Sequence, residues 1–249
     1  MKKMLFFLFI TGAINAYAQT KSLVAVIMVT TKLGQAPAFA TAWKTHLDKY
    51  HHTDTTNRRN VYEIISGPHT GSYYLVSPNM AWADYDIDRP TEKAHDVDYA
   101  TTITSTLASQ GGESIFRWAD TLSYRPDVPA TKLLLTTYHI KAGKQAELTD
   151  EIKRSIAVDK KINSAISYDG FVQTMSGSTP TVVIIRHLKD GFKELDPDYS
   201  KAPADQFKNA YIEMFGSFAW QKRTDMLPAI TDLVEVEMMK LRPDLSSTR

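Results

Sequence analysis

Apolar residues along this chain fall into short continuous blocks and longer stretches with a four-residue spacing, and the two kinds alternate. Leu23-Val24-Ala25-Val26-Ile27-Met28-Val29 is a continuous block within Ser22 to Thr31. A strand with one wet face alternates polar and apolar positions, so this block predicts a strand covered on both faces. Lys32-Leu33-Gly34-Gln35 is a turn, and Pro37 suits a first helical turn, where its missing N–H costs nothing. Phe39, Trp43, Leu47 and Tyr50 then mark one face of an amphipathic helix. A polar loop, 51–59, leads to strands at Asn60 to Ser66 and Ser72 to Ser77, joined as a hairpin through Gly67-Pro68-His69-Thr70-Gly71. A short helical piece is expected around Met80 to Asp86. A helix from Thr91 to Ser109 follows, with Tyr99, Ile103 and Leu107 as its stripe and Gly111-Gly112 as its stop. A long strand from Gly112 onward closes the first half, giving the order βαββαβ.

The order then repeats. Lys132 to Ile140 is a strand, and Lys144 to Asn163 a helix striped by Leu148, Ile152 and Ile156. Tyr168 to Met175 and Thr181 to Leu188 form a hairpin around Ser176-Gly177-Ser178-Thr179-Pro180. Ala204 to Trp220 is a helix with Phe207, Tyr211, Met214, Phe215 and Phe218 as its apolar face, and Ala229 to Leu241 is the last strand. Leu23 and Leu133 stand 110 residues apart, as do Gly67 and Gly177, and Arg125-Pro126-Asp127 returns as Arg242-Pro243-Asp244. A repeat this long means two related units, 19–128 and 129–249, with a seam at the Val128-Pro129-Ala130 bridge. Each unit reads as a ferredoxin-like α+β fold, an antiparallel sheet with two helices on one face. Apolar residues on both faces of the strands require the bare sheet faces to be covered. The economical solution packs the two antiparallel sheets face to face as an intramolecular α+β barrel with the helices outside.

On element order, hairpin positions and the long closing strand of each half, the chain resembles the dimeric α+β barrel superfamily, with two barrel halves fused in one polypeptide. The resemblance spans Leu23 to Leu245. The superfamily includes antibiotic-biosynthesis and haem-degrading monooxygenases, haem-binding chlorite dismutase-like enzymes and proteins of the NIPSNAP type. The resemblance therefore implies a small-molecule cavity, and haem held by a proximal His as one cofactor; it carries no signature motif, and a fold does not fix a chemistry.

The N-terminus changes the picture of where the chain works. Lys2 and Lys3 precede the apolar run Met4 to Ile10, and Ala16-Tyr17-Ala18 has the small-x-small pattern of a cleavage site. We expect a signal peptide, 1–18, cleaved after Ala18, and an exported chain, periplasmic or secreted, that does not span a membrane once the signal is gone. The chain has no Cys, which excludes disulfides, thiolate metal sites and Cys nucleophiles. The mature chain carries 27 basic and 28 acidic residues in interspersed order, which gives no electrostatic footprint for nucleic acid.

Candidate chemistry lies in polar residues set into apolar strands. Glu63 sits in the second strand, Arg117 and Asp120 in the first closing strand, and Arg186 and His187 at the end of the second hairpin. His139 ends the central strand, and Glu235 and Glu237 share one face of the last. Together they could form an acid/base pocket, or they could be interior ion pairs and solvated strand ends. His139 and His187 are the candidate haem ligands that the superfamily resemblance suggests. His46, His51 and His52 have metal-compatible spacing, with Asp48 or Asp54 near, but read as a solvated helix end, so no metal site is assigned. His69 is expected to be exposed in its hairpin, and His95, with Asp96 and Asp98, to serve a helix N-terminus. Trp82 and Phe192 stand in equivalent places just after each hairpin. No Gly-rich phosphate loop, G-x-S-x-G elbow or H-E-x-x-H helix is present. Two functions remain: a binding protein for a small apolar or aromatic molecule, or a cofactor-free or haem-dependent monooxygenase-like enzyme. With both halves in one chain, the protein is expected as a monomer, or as a dimer through outer surfaces.

Overall fold

The computed structural model describes residues 22–51, 58–125, 128–175, 179–196, 199 and 205–247. The expected signal segment and His52 lie outside them. The elements are β1 (Leu23–Thr31), α1 (Ala36–Tyr50), β2 (Asn60–Ser66), β3 (Ser72–Met80), α2 (Glu92–Asp98), β4 (Leu107–Gln110) and β5 (Ser114–Trp118). They continue as β6 (Lys132–Ile140), α3 (Gln145–Lys161), β7 (Tyr168–Met175), β8 (Thr181–His187), α4 (Gln206–Phe215), α5 (Ser217–Ile230) and β9 (Thr231–Leu241).

Pairing runs β3-β2-β9-β6-β8-β7-β5-β1, and β1 pairs back onto β3. The sheet is therefore a closed antiparallel barrel of eight strands. The short β4 covers the end of β1 that β5 leaves open, at Val29 to Thr31. Within the barrel, β5-β1-β3-β2 and β9-β6-β8-β7 each show the ferredoxin-like order. The two sheets face each other across the interior and are joined at their edges by β2–β9 and β5–β7. Closure leaves no edge of the eight-strand sheet to pair with another chain.

Alternation along the closed strands makes three layers. Met28, Tyr62, Ile64, Tyr74, Phe116, Leu133, Leu135, Phe171, Val183, Ile185 and Met239 fill the barrel. Val29, Val61, Tyr73 and Leu75 point outward beneath α1, against Phe39, Trp43 and Leu47. Ile140 and Val182 point outward beneath α3 and α5, against Leu148 and Ile230. The continuous apolar blocks are thus strands covered on both faces, as their composition requires.

Three elements differ from the sequence pattern, each for a local reason. The helix expected over 91–109 is regular only through Asp98. It widens into a π turn at Tyr99–Ile103 and ends as β4. Thr101 and Thr102 hydroxyls donate to the carbonyls of Val97 and Asp98 at 2.7 and 2.6 Å, and Ser105 and Thr106 do the same further on, which competes with regular helix. The strand from Gly112 breaks after Trp118 because Leu122 turns into the core beneath α3. There it lies over Gly170, where any Cβ would meet the Leu122 carbonyl and side chain. The single helix expected over 204–220 is two, parted at Gly216, whose φ of +87° suits a residue without a Cβ. The break turns the apolar stripe, so Phe218 is 82% exposed and Met214 is also exposed.

The C-terminus ties the last strand to the first half. Trp43 Nε1 donates to the Leu245 carbonyl at 2.8 Å, and the Ser246 and Ser247 hydroxyls accept from the backbone N–H groups of Val61 and Arg59. Leu245 itself is buried among Val61, Trp43 and Leu107. Truncating a buried Leu loses its transfer free energy and leaves a cavity. Leu245→Ala should therefore lower stability by about 2–5 kcal/mol, read as a fall in the urea midpoint at unchanged slope.

Candidate functional site

The amphipathic stripe of α1 determines the site's location. Phe39, Trp43 and Leu47 face the sheet, and His46 lies three residues after Trp43, on the same buried face. His51 closes the helix, its N–H bonded to the Leu47 carbonyl. His46 and His51 are 0% and 1% exposed, so the solvated helix end expected from the sequence is a buried one. His95 arrives from α2 and completes a ring triangle, with centroids 5.2 Å apart for His46–His51, 4.7 Å for His46–His95 and 5.2 Å for His51–His95. One nitrogen from each ring lies within 4.8 Å of the other two. The sequence offered His46 and His51 with metal-compatible spacing; the third member, His95, is 44 residues from His51 and is supplied by tertiary packing alone.

Carboxylates orient two of the three rings. His46 Nδ1 meets Asp98 Oδ2 at 2.8 Å, and His95 Nδ1 meets Asp96 Oδ1 at 3.0 Å. These bonds leave Nε2 of each as the outward nitrogen. His46 Nε2 is buried and has no hydrogen-bond partner among the described residues. Burial lowers the His46 pKa, opposed by Asp98 and assisted by the nearby His95 and Arg59, which favours the neutral ring. The Asp98 carboxyl is held low chiefly by its bond to His46 and also by Lys49.

These groups line a cavity of about 310 Å³ between α1, α2 and the outer face of the first sheet. Ile27, Trp43, Leu75 and Tyr99 make its apolar wall, and Arg59 and Gln110 add polar groups. Burial draws the Arg59 guanidinium down, opposed most by the charge of Glu113. Tyr99 belongs to the π turn, a departure from regular helix that is frequent at functional sites. The corresponding space over the second sheet is filled. There Tyr211 donates to Glu151 Oε2 at 2.8 Å, and Arg223 meets Glu151 Oε1 at 2.9 Å and lies over the rings of Phe207, Tyr211 and Trp220. A charged crevice of about 120 Å³ lies beside it.

The strand residues singled out in the sequence do not converge. Glu63 pairs with Arg242 at 3.0 Å on the helix side of β2. Arg117 and Asp120 are exposed, and Arg186 meets Glu194 at 3.5 Å outside the barrel. His139 and Glu235 pair at 2.9 Å at one end of the interior. At the other end His187 Nε2 meets Asp169 Oδ2 at 2.9 Å, while Trp118 donates to Asp169 Oδ1 at 2.8 Å. Glu237, 2% exposed, accepts from Tyr74 at 2.8 Å and meets His69 Nδ1 at 2.8 Å, so His69 is half-buried rather than exposed. Burial, with Glu237 beside it, pushes the Tyr74 phenol far above its usual range. Trp82 and Phe192 each open a 3₁₀ turn directly after a hairpin, Trp82 against Tyr85 and Phe192 against the Lys132 ammonium.

The two histidines that the sequence offers as haem ligands are engaged elsewhere. His139 and His187 each give Nε2 to a carboxylate and line neither cavity.

Comparison with protein-family models and with curated proteins finds no match. Solved structures do match. A candidate monooxygenase from Lactobacillus acidophilus NCFM has a TM-score of 0.51 at 9% identity, over 91% of this chain and 96% of the other. An anthrone oxidase-like protein gives 0.55 at 8% identity over 89% and 92%, and a chlorite dismutase variant from Candidatus Nitrospira defluvii gives 0.52 at 7% over 91% and 93%. The fold class is thereby defined: an antiparallel α+β barrel of two ferredoxin-like sheets, closed within one polypeptide.

The interior network yields a prediction that separates structure from catalysis. Tyr74→Phe leaves one oxygen of the buried Glu237 without its donor, which should cost about 1–3 kcal/mol of stability. Ligand binding in the cavity under α1 should be unchanged, since the barrel wall separates the two. Denaturant unfolding and a binding titration on the same variant check both halves of the statement.

Proposed function

We propose that this protein binds a small, largely apolar or aromatic molecule bearing one anionic group in the cavity beneath α1. The observation that carries the reading is the cavity's lining: an apolar wall of Ile27, Trp43, Leu75 and Tyr99 set against Arg59 and a histidine cluster. Its volume of about 310 Å³ falls at the small end of the roughly 300–1,000 Å³ range of small-molecule sites. Trp43 and Tyr99 offer flat faces to an aromatic ring, and a guanidinium pairs with a carboxylate through two parallel N–H bonds. The imidazoles add acid/base capacity, so the same lining serves a monooxygenase-like enzyme of this fold acting on such a molecule. The likeness to a candidate monooxygenase and an anthrone oxidase-like protein favours that second reading.

The test is titration of the metal-free mature chain with 2-naphthoate, followed by quenching of tryptophan fluorescence. Saturable quenching is expected, lost in Trp43→Phe, and Arg59→Leu should weaken binding by about 10–100-fold, the worth of a hydrogen bond to a charged group. Equal binding by Arg59→Leu would remove the anion from the reading, and no saturable quenching would remove the reading itself. We also propose that the chain is exported through the segment 1–18, with the two halves 19–128 and 129–249 as its repeated units. N-terminal sequencing of the secreted form should begin at Gln19, and any other mature start counts against cleavage after Ala18.

A further inference from the structure

We infer that His46, His51 and His95 bind one first-row divalent transition-metal ion, with zinc the first candidate, in a site that keeps its remaining coordination positions open to the cavity. The inference rests on the cavity being a working ligand site, and it adds what that site holds. Four observations support it independently of the pocket's shape. Three imidazoles from two helices converge, with one nitrogen of each within 4.8 Å of the others. Imidazole nitrogens suit zinc, copper, iron and nickel rather than magnesium or calcium. His46 and His95 each bind a carboxylate through Nδ1, at 2.8 and 3.0 Å, the arrangement that fixes ring orientation and raises basicity in metal-bound histidines. His46 Nε2 is buried and has no partner among the described residues, which for a polar atom in an apolar wall costs free energy unless something occupies it.

The geometry needs only small adjustment. Ligand nitrogens around a tetrahedral ion stand about 3.4 Å apart, given metal–nitrogen bonds of about 2.0–2.1 Å. Moving from 4.8 Å to that separation takes modest rotations of the side chains, and the ring centroids already form a nearly equilateral triangle. Three protein ligands and an open position is the pattern of reactive rather than structural zinc sites. Arg59 lines the same cavity, so a carboxylate of the bound molecule can sit between the ion and the guanidinium and compensate both. Asp96 and Asp98 supply the remaining negative charge behind the ligands.

The experiment is addition of Co²⁺ to the chelator-treated mature chain, read by visible ligand-field absorption, with Zn²⁺ measured by calorimetry. The expected result is one ion per chain and intense bands of a four- or five-coordinate cobalt, displaced by zinc. His95→Ala, at the half-exposed position, should abolish saturable binding, and Asp98→Asn, a positioning variant, should weaken it by about 10–100-fold. His139→Ala, in the barrel interior, should leave it unchanged. Absence of one-to-one bands, or bands that persist in His95→Ala, would overturn the inference. Naphthoate quenching of the metal-free protein serves as control: if it survives while metal binding fails, the site loses its metal and keeps its ligand. If His46→Ala does not fold, His95→Ala and Asp98→Asn still decide the outcome.

Discussion

Everything in this structure depends on the hydrogen-bonded seams β2–β9 and β5–β7. A ferredoxin-like sheet taken alone has two open edges and one bare apolar face, and both are unstable in water. Joining the edges of two such sheets removes the edges and buries the bare faces in one step. The seams also bring distant parts of the chain together. The tail after β9 runs on along β2, and Leu245 becomes part of the core under α1, some 200 residues from Trp43.

Side chains of the strands pack into the barrel interior. Apolar residues pack in its middle, and its carboxylates have partners: Glu237 with Tyr74 and His69, Glu235 with His139, Asp169 with His187 and Trp118. A buried carboxylate is tolerated only when such donors surround it. These residues therefore hold the two sheets in register, while the open space lies outside the barrel, between sheet and helices.

The two halves share a frame and differ in how they use the space over it. In the second half, Tyr211, Trp220 and the Glu151–Arg223 pair fill the volume between α3, α4 and α5. In the first, α2 is short, the chain loosens into a π turn, and the shorter helical cover leaves room beside α1. The histidines surround that room. The candidate site thus lies over the half whose described residues have less helix.

Periodicity along the chain was enough to define the architecture. Continuous apolar blocks such as 23–29 and 133–135 read as strands covered twice, and the 110-residue offset points to two similar units, so a barrel with outer helices follows from the need to cover both faces. His46 reads in the sequence as part of a solvated helix end, although its place between Trp43 and Leu47 puts it on the buried face of α1. What a linear pattern cannot carry is the meeting of residues from separate elements. His95 reaches His46 and His51 only because α2 folds over α1, and Glu235, Glu237 and Arg117, close in pattern, are parted because strand alternation and closure send them to different ends and faces. Local spacing fixes which side of its own element a residue takes; only the packing of elements decides what stands opposite it.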